Sequence, residues 1–153
     1  RCGENRSLDL HLTQFSDHQK LLEYVKTLII AISVHLHCSP TILTEGFQWI
    51  DHHDQDNSVL SFIRRSADEV SDPDLVFIFN FTPVPRDDYL TGFSESCHYS
   101  KLFDTDDPKF GGSGFNQQQQ IITSPQMWQG QPHRATVNLP PLGCLVFEKM
   151  AGM

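Results

Sequence analysis

The chain has 153 residues, which is enough for one domain with a hydrophobic core but too few for two full domains. Its 19 acidic residues outnumber 11 basic ones. The net charge of -8 argues against binding to nucleic acid or to an anionic membrane surface, because either would need a basic face. The nearest candidate for a membrane span, residues 28–36, is too short and contains His35.

The four cysteines lie far apart and include no Cys-x-x-Cys pair. This spacing indicates neither a zinc ribbon nor a thioredoxin-like dithiol, so we expect reduced thiols in a cytoplasmic protein. Cys144 lies inside an apolar run and is expected to be a small core residue.

An amphipathic helix is predicted from Ser16 and Asp17 onward. Either residue can cap a helix, and apolar side chains then recur at helical spacing as far as Ile29. This apolar face needs a partner, and the first residue is Arg1 rather than Met, with no secretory signal. Both observations suggest the tail of a longer protein. Over residues 29–44 no clear period is present, and the secondary structure is left open.

The strongest strand signal is the run Leu-Val-Phe-Ile-Phe-Asn-Phe at residues 75–81. It is too short for a free-standing helix and rich in Phe, Val and Ile, which predicts a central strand buried on both faces. Pro83 and Pro85 cannot donate ladder hydrogen bonds, so the chain must leave the sheet near Phe81.

Shorter strands are predicted before and after this run. Residues 45–51 and 58–65 form a hairpin around a polar turn, and Gly92 marks a later turn. The remaining strands are predicted over residues 98–104, 121–123, 134–139 and 142–148. About seven short strands separated by turn signals predict a mostly β fold, an antiparallel β-sandwich.

Candidate metal and catalytic sites have little support in the sequence. The potential nitrogen and sulfur ligands are His35, His37 and Cys38, with His52 and His53 further on. They lack a metal-binding spacing, and the acidic residues at 51–56 lack the Gly and distal Glu of an EF-hand, which favours a solvated turn. No nucleophile elbow or phosphate-binding glycine loop is present. We therefore expect no metal, no cofactor and no catalytic residue in this chain.

Trp128 is the candidate substrate-binding residue. It lies in Pro-Gln-Met-Trp-Gln-Gly at residues 125–130, between predicted strands, where an exposed ring could stack on a sugar. The alternative is a ring that covers one end of the sandwich core, and the sequence leaves both open.

Six separated motifs stand out in the second part of the chain. They are Gly-Phe-Gln-Trp-Ile-Asp at 46–51, Asp54 with Ser-Val-Leu-Ser-Phe-Ile-Arg-Arg at 58–65, Asn-Phe-Thr-Pro-Val-Pro-Arg at 80–86, Tyr89 with Gly92, Phe-Gly-Gly-Ser at 110–113 and Leu-Pro-Pro-Leu-Gly at 139–143. In order and spacing, residues 46–149 resemble the C-terminal domain of bacterial glycogen branching enzymes. Residues 6–28 also resemble the end of that family's catalytic barrel, although Leu10 replaces its usual Trp.

The resemblance implies a parent enzyme with a (β/α)8 barrel, which cuts an alpha-1,4-glucan and transfers it to a 6-hydroxyl. In the family the nucleophile and acid/base carboxylates of this retaining reaction lie upstream of the first residue here. We therefore expect residues 1–45 to be a helical remnant of the barrel and residues 46–153 to be the all-β C-terminal domain. The chain would contact the missing barrel, and alpha-glucan (glycogen) through the parent enzyme.

Two other functions are kept as alternatives: a non-catalytic carbohydrate-binding module, and the terminal domain of another alpha-glucan-active enzyme. The segment 29–44 carries a separate hypothesis. Family members tend to have Pro-Ala-Leu there, and plausible codons for residues 35–38 permit it when read one base earlier. A compensated frameshift would make the group His35, His37 and Cys38 accidental.

Overall fold

A computed structural model of the protein describes residues 10–35, 46–65 and 73–150. The boundary expected at residue 45, the ligand group at His37 and Cys38, and most of the segment assigned to a frameshift lie outside these residues. Within them, the helices fall short of the length and apolar character that a bilayer crossing requires.

The predicted helix is confirmed. After a 3-10 turn at Leu10–Gln14, helix α1 (Ser16–His35) begins at the predicted capping residue and continues beyond Ile29. It extends through part of the segment left open by the sequence, where no Gly or Pro interrupts the chain before Pro40. The β-branched residues there lower helix propensity only slightly, which is too little to end a helix.

The described part of the chain after α1 contains eight strands. They are β1 (Phe47–Asp54), β2 (Val59–Arg64), β3 (Leu75–Asn80), β4 (Arg86–Phe93), β5 (His98–Asp104), β6 (Gln120–Ile122), β7 (His133–Leu139) and β8 (Gly143–Lys149). A six-stranded sheet has the order β1-β2-β3-β8-β5-β6, and β4 pairs with β7 in a second sheet. Every pair is antiparallel, so the predicted mostly β, antiparallel class is confirmed.

The main core lies between the two sheets. From β3, Val76 and Ile78 point into it, and from the smaller sheet Phe93 and Val137 meet them, all at most 1% exposed. Each such side chain contributes about 1.5–3 kcal/mol when it leaves water. The position of β3 between β2 and β8 confirms the predicted central strand.

The prediction that the central strand is buried on both faces is wrong for the outer face of β3. Phe77 and Phe79 point away from the smaller sheet and are only partly buried. In the same cluster, the ring of Tyr24 from α1 lies 5.7 Å from that of Phe103 in β5 and 5.3 Å from that of Phe110. The apolar run therefore indicates a strand with two apolar faces. Within the described residues, only the inner face is fully covered, by the smaller sheet.

The prediction of a turn at Gly92 is also wrong, because Gly92 lies inside strand β4. A Cβ at Gly92 would stand 2.6 Å from the carbonyl oxygen of Trp128, so only glycine allows this close approach. The strand also has a register shift between Arg86 and Tyr89, where Asp88 has a φ of 51°. This bulge breaks the alternation that would have indicated a strand.

The exit from β3 is held by the side chain of Asn80, which is 1% exposed. Its Nδ2 donates to the carbonyl oxygens of Val84 (2.8 Å) and Pro140 (2.9 Å). Its Oδ1 accepts from the backbone N–H of Thr82 (3.0 Å) and from the Thr82 hydroxyl (2.8 Å). Asn80 thus provides bonds that the proline-rich loop cannot form with the sheet.

We predict that Asn80→Ala lowers the free energy of unfolding by roughly 2–4 kcal/mol, because it leaves the buried carbonyl of Pro140 without its donor and removes the three other bonds of this side chain. Urea unfolding followed by circular dichroism measures this change. Gln119→Ala, at an exposed side chain, is the control and should stay within about 0.5 kcal/mol of the parent chain. Equal effects of the two substitutions would contradict the role given to Asn80.

Candidate functional site

Trp128 lies in a tight turn between β6 and β7. Its backbone N–H donates to the carbonyl of Gln131 (3.0 Å), and the N–H of Gln131 donates back (2.9 Å). The indole Nε1–H donates to the carbonyl oxygen of Leu90 in β4 (3.0 Å), while the ring remains 40% exposed. The ring is therefore fixed against the edge of the smaller sheet and is not a member of the buried core.

The two central residues of this turn, Gln129 and Gly130, have φ values of 50° and 72°. Positive φ at both positions is the requirement of a type I′ turn, and it is unfavourable for a side chain such as that of Gln129. The Gln129 amide offsets this cost: its oxygen accepts from the N–H of Gly92 (3.0 Å), and its nitrogen donates to Asp51 (2.8 Å). These bonds tie the Trp128 turn to both sheets.

An open groove lies where the end of β1, the start of β4 and the Trp128 turn meet. Its volume is about 690 Å³. We name it the Trp128 groove. Its walls include Trp128, four carboxylates and one guanidinium, and the charged residues are Asp51, Asp54, Asp87, Asp88 and Arg86.

Asp54 is the most strongly bonded carboxylate of the Trp128 groove. The hydroxyl of Tyr89 donates to it at 2.7 Å, and Nδ2 of Asn57 donates to both of its oxygens at 2.9 Å. Burial acts to raise the pKa of Asp54, but the bonds from Tyr89 and Asn57 outweigh it and hold this pKa below its ordinary value of 3.8. Burial and the bond to Asp54 raise the pKa of Tyr89, which keeps its proton.

Arg86 provides the positive charge on this wall. Its Nη2 donates to the carbonyl oxygen of Asn57 (2.9 Å), while its Nε is enclosed and has no hydrogen-bond partner among the described residues. With one guanidinium against four carboxylates, the Trp128 groove disfavours anionic ligands. Carboxylate acceptors beside an exposed indole suit a ligand with hydroxyl groups and an apolar face.

The structure brings together residues that the sequence treated separately. The sequence predicts a solvated turn that contains Asp51 and Asp54. Both carboxylates do accept from nearby backbone, from the N–H of His53 (2.8 Å) and of Asn57 (3.1 Å), but both residues lie in β1, and the turn begins only after Asp54. The same two carboxylates also line the Trp128 groove, which the sequence did not predict. No group of three metal-binding side chains occurs within the described ranges.

Sequence reasoning missed Arg86, Tyr89 and Gln129 as members of this site. Tyr89 belonged to a recognised motif, but no periodic pattern linked it to Asp54, which lies 35 residues away along the chain. The side-chain amide of Gln129 donates to Asp51, which lies 78 residues away along the chain. Only the packing of β4 against β1 creates these contacts.

The prediction for Cys144 is confirmed. Its side chain is 8% exposed in the layer between α1 and the larger sheet, and burial raises the pKa of its thiol to about 12. Cys97 is also a free thiol. A neutral buried thiol behaves as a small apolar side chain and is a poor nucleophile.

A sequence profile described as the alpha amylase C-terminal all-beta domain matches residues 49–149, which run from β1 to the end of β8. The chain belongs to this family. All eight strands of the described structure and the Trp128 groove therefore lie in the alpha amylase C-terminal all-beta domain, and α1 precedes it.

Curated relatives give the same result. The chain is 35% identical over 150 residues to "1,4-alpha-glucan branching enzyme GlgB" of Oceanobacillus iheyensis, covering 95% of this chain and 23% of that protein. It is 37% identical over 153 residues to the GlgB of Nitrosococcus oceani, covering 95% and 19%. The GlgB of Francisella tularensis is 42% identical over 103 residues, covering 67% and 16%. The predicted resemblance is confirmed, and the chain spans about a fifth of these relatives' length.

We predict that Tyr89→Phe raises the pKa of Asp54 toward 3.8, because it removes the hydroxyl that stabilises the carboxylate. A lowered pKa in the folded state stabilises the fold above the unfolded pKa, and this contribution is lost as the pH falls through the folded pKa. The variant should therefore be less stable than the parent chain above the unfolded pKa, and its stability should fall less as the pH drops toward the folded pKa of the parent. NMR titration of the side-chain carboxyl carbon measures the shift.

Tyr24→Phe is the control for this titration, since Tyr24 lies on α1 in the aromatic cluster with Phe103 and Phe110. It should leave the pKa of Asp54 unchanged. An unaltered Asp54 titration in Tyr89→Phe would show that the hydrogen bond does not set this pKa.

Proposed function

We propose that this chain is the C-terminal domain of a glycogen branching enzyme and that it supports the catalytic barrel of that enzyme, without catalytic carboxylates of its own. The family of residues 49–149 and the GlgB relatives support the assignment. Since the chain spans about a fifth of those relatives, the remaining part of the enzyme would carry the reaction.

The observation that carries the proposal is a row of aromatic rings on the outer side of the larger sheet. We call it the aromatic face, and its members are Phe47, Trp49, Phe62, Phe77, Phe79 and Phe81. Neighbouring rings contact one another across β1, β2 and β3, with centroids 5.0 Å apart for Phe47 and Phe62 and 4.9 Å apart for Phe62 and Phe77. Trp49 is 44% exposed and Phe81 61% exposed.

Helix α1 carries further exposed apolar side chains. Leu21, Ile29 and Ile30 are 59%, 57% and 61% exposed. Between α1 and the aromatic face is an apolar cleft of about 370 Å³. Single exposed apolar residues are common, but a contiguous apolar surface marks an interaction site.

The occupant we propose for this surface is the catalytic part of the same polypeptide. About four fifths of each relative's sequence lies outside the segment that matches this chain. Helix α1 comes before the all-β domain in the chain. A helix that is apolar on two sides fits between two protein layers. A free-standing carbohydrate-binding module, the alternative from the sequence, would leave the aliphatic side chains of α1 exposed to water, and these have no ring that could stack on a sugar.

The carboxylates of the Trp128 groove are poorly suited to act in a branching reaction. A retaining transfer needs a carboxylic acid with a raised pKa beside a nucleophilic carboxylate. The pKa of Asp54 is lowered instead, and Asp51 accepts bonds from His53 and Gln129. We also place the protein in the cytoplasm, where the free thiols Cys97 and Cys144 would stay reduced.

We predict that this chain can replace the matching C-terminal segment of the Oceanobacillus iheyensis enzyme. The chimera should form branches on amylose, measured as the loss of iodine absorbance and by counting chain ends after debranching. Neither the truncated enzyme nor this chain by itself should do so. Branching by the isolated chain, or an inactive but folded chimera, would overturn the proposed function.

The same chimera tests the docking surface. Substituting Trp49→Ser and Phe81→Ser together should speed its thermal inactivation by about tenfold, because truncating buried aromatic anchors weakens an interface. In the isolated chain the same pair should change stability by less than about 1 kcal/mol, since both rings are exposed there. Met127→Ser, at a 78% exposed residue outside the aromatic face, is the matched control and should leave inactivation unchanged.

A further inference from the structure

We propose that the Trp128 groove is a surface subsite that binds a short stretch of alpha-glucan, separate from the surface that contacts the barrel. The class of ligand rests on the proposed function, whereas the location rests on the geometry of the groove. Such a subsite would hold an outer chain of the polymer on the enzyme while the reaction takes place elsewhere.

The indole of Trp128 provides an apolar platform of fixed orientation. Its Nε1–H is occupied by the carbonyl of Leu90, its backbone forms both bonds of the tight turn, and the guanidinium of Arg134 lies 6.0 Å from the ring. A ring held in this way loses little conformational entropy when a ligand binds. Since 40% of the side chain remains exposed, it can still receive the apolar face of a pyranose.

The polar groups around the ring match a polyhydroxylated ligand. Asp87 and Asp88 are at the bulge of β4 and line the groove, where their carboxylates can accept from sugar hydroxyls. Arg86 lines the same wall and adds a guanidinium beside these acceptors. Such donors and acceptors around an aromatic platform can fix the orientation of a sugar.

The excess of negative charge narrows the choice of ligand. It disfavours phosphorylated sugars and nucleotides and leaves neutral polyols or cations. A cation would need converging ligands, and the described residues contain no group of three His, Cys, Asp or Glu side chains that could hold one. The volume of about 690 Å³ lies within the range of about 300–1,000 Å³ that is typical of small-ligand sites.

The Trp128 groove is separate from the docking surface of the proposed function. No residue that lines it belongs to α1 or to the aromatic face. A catalytic domain seated on the aromatic face would therefore leave the groove accessible, and the two surfaces can be tested independently.

The experiment uses the chain in a Trp49→Phe background, which leaves Trp128 as the only tryptophan of the sequence. Titration with maltoheptaose should change the Trp128 fluorescence saturably. In native gels containing glycogen, the chain should be retarded, and Trp128→Ala should weaken this binding at least about tenfold, the effect expected for an aromatic anchor. Thermal melts followed by circular dichroism verify that each variant is folded.

Two further variants make the result decisive. Asp88→Asn keeps a residue that tolerates positive φ but removes the charge, so it should stay folded and weaken maltoheptaose binding several-fold. Trp49→Ala removes the other exposed tryptophan, on the aromatic face, and should leave glycogen retardation unchanged.

An absence of binding by the parent chain, or equal binding by folded Trp128→Ala, would overturn the proposal. A fluorescence change with calcium chloride that maltoheptaose does not produce would also overturn it, in favour of a cation. In each of these three cases, an active chimera would show that the proposed function is correct and that the proposed subsite is not.

Discussion

The structure depends on β3, a strand that is apolar on both faces and paired on both edges. Its inner side chains Val76 and Ile78 form the core with the smaller sheet. Its outer side chains Phe77 and Phe79 belong to the aromatic face and pack in the same cluster as Tyr24 of α1. A strand of this kind is stable only between two layers. The smaller sheet provides one, and α1 provides only part of the other. The incomplete outer layer is the feature that our proposal of a barrel-supporting domain explains.

A second constraint is the close approach of the Trp128 turn to β4. Gly92 has no side chain, so the turn can reach the strand, and the amide of Gln129 then bonds to Gly92 and to Asp51. The turn has an unfavourable backbone conformation at Gln129, which these bonds offset. An exposed indole is thereby held in one place above acidic groups. The two surfaces of the domain thus have different chemistry: the aromatic face is apolar, whereas the Trp128 groove is lined by charged side chains.

Much of the fold was predictable because local patterns agree with it. The capping residues at Ser16 and Asp17 predict the start of α1, and the run at 75–81 predicts the central strand. The strand containing Gly92 was missed because a bulge and a glycine remove its alternation. For the site, the sequence supplied Trp128 as a candidate and motifs that include Asp54 and Tyr89. It could not join them, because a hydrogen bond across 35 residues leaves no periodic signal.

By itself, the sequence determined the class of fold, the central strand, the helix and the resemblance to branching enzymes, since propensity, turn chemistry and motif order are properties of contiguous residues. The tertiary structure decided which face of β3 is enclosed and which is left apolar and open. It also decided that Asp51, Asp54, Arg86 and Trp128 share one groove. Those outcomes depend on the crossing of two sheets and on one close backbone contact at Gly92, and neither is set by any local stretch of the chain.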